Sequence, residues 1–153
     1  MAIRNIVKVG DDVLRKVCRT QLTFDEKLAT LLDDMADTMY KAEGVGLAAP
    51  QIGILRRICI VDVGDGLIEL INPVIVEKSG SQKGSEGCLS VPDRFEEVER
   101  PMCVTVRAQN RNGENIVIDA EGFKARAFCH EIDHLDGRMF MEYVTRWIET
   151  ETE

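Results

Sequence analysis

The chain has 153 residues, 44% of them hydrophobic and 30% charged, a balance that fits one globular domain with a sizeable buried core. A formal net charge of −8 and a pI near 4.9 exclude broad electrostatic binding to nucleic acid or an anionic membrane, because both reward clustered Lys and Arg. No apolar run reaches membrane-spanning length and residues 1–5 carry no secretion pattern, so the five cysteines, an odd number, are expected to be reduced thiols of a cytoplasmic protein.

Residues 3–9 read as a short strand or extended arm, followed by a turn at Gly10-Asp11 and one helical turn through Leu14. Thr23 and Glu26 have the spacing of a capping box, after which Leu28, Leu31, Leu32, Met35 and Met39 recur at helical period. An amphipathic helix over residues 24–42, ended by Gly44, is therefore expected. GVGLAAPQIG at 44–53 has too much Gly and Pro for regular structure and too many small apolar residues for an idle loop. It reads as a packed loop whose backbone approaches something closely, with Gln51 offering a donor and an acceptor.

The apolar run at 58–63 predicts a buried strand, followed by strands at 67–70 and 74–77 interrupted at Asn72-Pro73. Val104, Val106 and Ala108 alternate with polar residues, and Asn112-Gly113 turns the chain into a second alternating run at Ile116, Ile118 and Ala120. A helix is expected after Gly122 and a final short helix at 141–147, with Trp147 as a packing anchor and an acidic, frayed tail at 149–153. No linker or repeat divides residues 1–153 into separate domains. Strands clustered between helices without regular alternation indicate an α+β fold.

The helix after Gly122 holds both histidines of the chain, His130 and His134, in the pattern HExxH, with Gly137 as a helix stop. Residues four apart share a helix face, so two imidazoles can converge on one cation, while Glu131 sits about 100° round, placed as a general base rather than a ligand. A catalytic metal site needs a third protein ligand. Glu142 or Glu149 would complete a zincin-like peptidase. Cys88, in Glu86-Gly87-Cys88-Leu89-Ser90, stands where no packing pattern explains a cysteine and is the preferred third ligand. Cys18, Cys59 and Cys103 lie in or beside apolar runs and read as core residues, and Cys129 points away from His130. A closed structural site recruiting Cys129 or Cys103 is the non-enzymatic alternative.

Three motifs in order, GVGLAAPQIG at 44–53, EGCLS at 86–90 and HEIDHLDG at 130–137, make the whole chain resemble the bacterial-type peptide deformylases. The resemblance implies a single catalytic domain over 1–153, with a central HExxH-bearing helix enclosed by antiparallel β-sheets. It implies a metal-dependent amidase that removes the N-formyl group from the initiator methionine of nascent polypeptides and releases formate, through attack by a metal-bound hydroxide. On this resemblance Cys88, His130 and His134 hold the metal and Glu131 is the general acid/base. Gln51 and the backbone N–H of Leu89 hold the oxyanion, and the backbone at Val45 and Gly46 lines the substrate cleft. Leu89 and the helix face near 127, 130 and 131 border the methionine pocket. The implied cofactor is one divalent ion, Fe(2+) first, with Zn(2+), Ni(2+) or Co(2+) as other occupants. The implied partners are N-formylmethionyl nascent peptides and, transiently, the ribosome. Two departures stand out: Cys129 occupies a position where the family often has glutamine, and no basic C-terminal helix is expected to make the ribosome contact.

Overall fold

The structure, a computed structural model, describes residues 2–148, of which 142–148 are described through their backbone alone. It contains two helices, α1 (Glu26–Lys41) and α2 (Phe123–Leu135), and eight strands in two antiparallel sheets. The strands are β1 (Gly46–Ala48), β2 (Ile58–Val61), β3 (Ile68–Ser79), β4 (Gln82–Cys88), β5 (Val91–Arg100), β6 (Cys103–Gln109), β7 (Asn115–Glu121) and β8 (Val144–Ile148). The larger sheet has the order β1-β2-β3-β6-β7 and the smaller β4-β5-β8, an α+β arrangement.

The position of the sheets follows from side-chain alternation. Every residue of β2 is buried, because the strand is covered on both faces. Ile58 and Ile60 pack with Leu28, Leu32, Met35 and Met39 of α1, whereas Cys59 and Val61 pack with Phe128, Ile132 and Leu135 of α2. In β1, Leu47 likewise joins the α1 core and Ala48 the α2 core. The larger sheet thus runs between the helices, and α2 also contacts β5 of the smaller sheet. Each fully buried Leu or Met on α1 contributes about 1.5–3 kcal/mol to holding that helix down.

The N-terminal stretch is an extended arm pinned to α1 by Ala2 N–H donating to Asp34 Oδ1 (2.9 Å) and Arg4 N–H donating to Thr38 Oγ1 (2.9 Å). The expected turn through Leu14 is a 3-10 turn, Asp12–Arg15, capped by Asp11. Helix α1 is capped by Asp25, not by the expected Thr23: the Asp25 carboxylate accepts from Leu28 N–H at 3.1 Å, and Asp is among the strongest N-caps. At the other end it is Glu43, with φ 59°, that takes the left-handed conformation expected of Gly44. Glu43 N–H donates to Tyr40 O and Gly44 N–H to Met39 O, both at 3.0 Å, closing a Schellman turn.

Three further expectations are overturned, and two strands are new. The 44–53 stretch is regular in part, supplying β1 and a 3-10 turn, Ala49–Ile52. The separate strands at 67–70 and 74–77 are one strand, β3, with a register shift between Ile71 and Val74 where Asn72 adopts φ 53°; a bulge absorbs the N–H that Pro73 lacks. Strands β4 and β5 were not expected at all, since charged side chains interrupt their alternation. The final helix at 141–147 is instead a 3-10 turn, Phe140–Tyr143, followed by β8. Val144, Thr145 and Ile148 are β-branched, and β8 covers the edge that β5 would otherwise leave open. The packing of Trp147 and the tail at 149–153 lie outside the described residues, as do the side chain of Glu142 and all of Glu149.

Candidate metal centre

Helix α2 is buried on most sides, with His130, Glu131 and His134 at most 7% exposed. Its Gly122 N-cap has φ 63°, and its end is set by Gly137 at φ 74°. Gly137 N–H donates to His134 O (3.1 Å) and Arg138 N–H to Asp133 O (3.0 Å), a second Schellman turn. A side chain at Gly137 would overlap the main chain of Arg15.

Cys88 ends β4, immediately before the turn into β5. Its Sγ lies 3.4 Å from His134 Nε2. One donor atom from each of Cys88, His130 and His134 lies within 4.8 Å of the others, and this is the sole such His/Cys/Asp/Glu group among the described residues. Cys18, Cys59 and Cys129 are buried in the α2 core, where burial pushes the thiols of Cys18 and Cys129 up to about 11; Cys103 is half-buried on β6. Neither Cys129 nor Cys103 joins the cluster, which removes the closed four-ligand alternative built on them.

The remaining residues of the site converge on this group. Glu131 Oε1 is buried and has no hydrogen-bond partner, and burial pushes its carboxyl up to about 7. Gly46 faces it so closely that a Cβ there would come within 2.8 Å of the Glu131 carboxyl carbon, which is the close approach expected of this segment. Gln51, on the 3-10 turn after β1, accepts Ala48 N–H at its Oε1 (2.9 Å) and directs Nε2 toward Ser90 Oγ (3.1 Å) and Cys88 Sγ (3.5 Å). Val45, Gly46, Gln51, Cys88 and Leu89 line a cleft of about 520 Å³, with Ala127, His130 and Glu131 on its helical side.

Glu86, a residue to which sequence reasoning gave no role, accepts from His130 Nδ1 at 3.0 Å. That contact leaves His130 Nε2 for a cation, the usual way a carboxylate fixes a ligating imidazole. Arg100 grips Glu86 at 2.9 and 3.0 Å and reaches Asp133 at 2.6 Å, and Arg126 adds a contact at 2.7 Å. Burial favours the neutral acid, but the His130 and Arg100 bonds outweigh it and lower Glu86 from 4.5 to about 2. No hydropathy signal marks Arg100, Arg126 or Asp133; the neighbouring motif residues were the only hint of Glu86.

A depressed carboxyl stabilises the fold above its unfolded pKa and loses that contribution as pH falls through its folded one. Metal-free protein is therefore expected to lose on the order of 3 kcal/mol between pH 5 and 2 through Glu86. Urea unfolding at stepped pH should show Glu86→Gln losing less over this interval than wild type. Parallel acid curves for the two proteins would show that Glu86 is not the group responsible.

Burial holds His134 well below its ordinary range, hence neutral and ready to ligate. Burial also disfavours charge on His130, but the negative charge of Glu131 and bonds to Cys88 and Glu86 raise it overall, so a proton and a cation compete for the same place. Two imidazole nitrogens and a cysteine sulfur at this spacing, with the buried, unpartnered Oε1 of Glu131 beside them, fit a divalent ion. The arrangement is that of a mononuclear metallohydrolase.

The polypeptide deformylase family model matches residues 3–149. A peptide deformylase of Acetivibrio thermocellus is 56% identical over 149 residues, covering 97% of this chain and 88% of the relative. Peptide deformylase 1 of Clostridium acetobutylicum is 56% identical over 142 residues, covering 93% and 95%. Among solved structures, the peptide deformylase of Thermotoga maritima superposes with a TM-score of 0.93 at 42% identity, covering 95% of this chain and 99% of that one. The Legionella pneumophila enzyme gives 0.91 at 45%, covering 94% and 87%. The chain belongs to the polypeptide deformylase family.

Proposed function

We propose that this chain, as one catalytic unit, removes the N-formyl group from the initiator methionine of nascent polypeptides with Cys88, His130 and His134 holding its metal and Glu131 moving its protons. The family is one of hydrolases of the N-formyl amide, and the reading of individual residues rests above all on one observation: three ligating atoms within 4.8 Å of one another beside the unpartnered Glu131 carboxylate. When bound, the cation supplies Lewis acidity and a water of lowered pKa. A thiolate and two imidazoles suit Fe(II), zinc, nickel or cobalt, with Fe(II) favoured as the working ion by family resemblance.

Glu131 takes a proton from the attacking water, whose oxygen bonds to the formyl carbon. The Nε2–H of Gln51 and the backbone N–H of Leu89 donate to the oxygen on which charge develops, worth several kcal/mol in a preorganised site. Glu131 then gives its proton to the amide nitrogen, the C–N bond breaks, and formate and a free amino terminus leave. Burial raises the metal-free Glu131 carboxyl, the direction that suits a group that must both accept and return a proton. Val45 and Gly46, at the outer edge of β1, and Leu89, after β4, give main-chain partners to an extended peptide. The apolar side chains of Leu89 and Ala127 suit the methionine.

No helix among the described residues is long and apolar enough to cross a membrane. We place the enzyme in the cytoplasm, where formylated chains are made, with transient access to nascent chains at the ribosome. The test is formate release from a short N-formylmethionyl peptide by protein purified without oxygen, with and without chelator. Chelator-sensitive formate is the expected result, and Cys88→Ser should lose most of its bound metal and its activity. A Cys88→Ser protein that keeps both would point to a glutamate as third ligand and a peptidase-like site.

A further inference from the structure

The Gln51 side-chain amide is anchored at both ends. A backbone N–H can only donate, so the 2.9 Å contact with Ala48 N fixes the oxygen end of the amide there and turns Nε2 toward the site. Nε2 carries two protons. One meets Ser90 Oγ at 3.1 Å, and the other faces Cys88 Sγ, 3.5 Å away.

Ser90 is wholly buried in the turn between β4 and β5. Its own carbonyl accepts Val9 N–H at 2.8 Å, and the Gln51 carbonyl accepts Val7 N–H at 2.7 Å. The extended N-terminal arm therefore clips the main chains of both partners. A glutamine with its backbone clipped and both amide ends bonded has lost its rotamer freedom before any substrate arrives, which is the condition for a donor that stabilises a transition state without reorganising.

The geometry points to Ser90 as a positioning residue of deformylation: its hydroxyl accepts one Nε2 proton of Gln51 and thereby holds the other on the space beside Cys88 Sγ where the formyl oxygen gains charge. This rests on the reading of Gln51 as an oxyanion donor. Ser90 itself touches no substrate. Without its hydroxyl, the amide keeps only the Ala48 contact at its oxygen and the long 3.5 Å contact with Cys88 Sγ at its nitrogen, and Nε2 swings about the Ala48 contact.

The experiment is a double-mutant cycle on metal-loaded enzyme, comparing wild type, Ser90→Ala, Gln51→Ala and the double variant for kcat, KM, bound metal and Tm. Ser90→Ala is expected to lower kcat about tenfold, the effect of one neutral hydrogen bond, with metal content and KM unchanged. In the Gln51→Ala background the same substitution should have no further effect, and Ser90→Thr, which keeps the hydroxyl, should recover most of kcat. An equal loss in both backgrounds overturns the positioning role while leaving Gln51 as an oxyanion donor. Wild-type turnover by Gln51→Ala overturns the oxyanion reading and the role of Ser90 with it. A measurement without substitution is hydrogen exchange of the Gln51 side-chain amide in the zinc-loaded wild type, followed by nitrogen-15 NMR, where the Nε2 protons should exchange with water far more slowly than those of an exposed glutamine. Exchange as fast as that of an exposed glutamine would equally overturn the proposal.

Discussion

Glu131→Ala is expected to keep its metal and lose activity by about 10²–10⁴-fold, the usual contribution of a positioned acid/base. Its carboxylate is not among the three clustered donors, so metal content should match wild type. Stability should hold or rise. A buried carboxylate oxygen without a partner is costly in the folded state, and removing it relieves that cost at the expense of function. Formate release, bound metal and thermal melting on the same preparation make the comparison. Turnover within threefold of wild type would remove Glu131 from the mechanism.

The second large effect is on stability. Arg100→Leu is expected to destabilise the protein by about 3–5 kcal/mol, the range for breaking a buried ion pair by removing one partner. The Arg100 side chain is 4% exposed and joins Glu86 on β4 to Asp133 on α2. Its loss takes from Asp133, whose side chain is 19% exposed, the guanidinium it is paired with, and leaves Glu86 to Arg126 and His130. Urea unfolding at pH 7 measures the effect directly. The deficit should shrink toward pH 3 as the carboxyls protonate, and a difference below about 1 kcal/mol at pH 7 would show that Arg126 suffices.

Much of the site could be read from the chain because its residues are close in sequence or carry an unusual pattern. His130, Glu131 and His134 share one helix, and helical period alone places them. Cys88 was legible by elimination, and it does lie beside the histidines. Gly46 is legible as a close approach, but its partner, Glu131, is set only by the fold, which brings β1 against α2. The hairpin around Asn112-Gly113 and the α1 stripe followed the same way.

The rest was hidden for one physical reason: burial in the smaller sheet is achieved with charge. Glu86, Glu96 and Arg100 are all buried on β4 and β5, so the strands that carry Cys88 and its supporting network lack the apolar alternation by which strands are recognised. Arg100 stabilises positions that a hydropathy reading assigns to solvent. The strand at the end of the chain was missed for a related reason, since β8 is required by its neighbour β5 more than by its own pattern.

Cys88 and His134 are 46 residues apart in the chain, and they arrive from different architectural elements, one from the smaller sheet and the other from the helix behind the larger one. On the proposed ligation, a cation shared by them would be a cross-link as well as a cofactor. Held by the native arrangement, it would stabilise the fold by mass action and close a loop that includes all of β5, β6 and β7. Heating the loaded enzyme would then have to break a tether before the two sheets part, and resistance to unfolding would become a property of the metal supply as much as of the sequence.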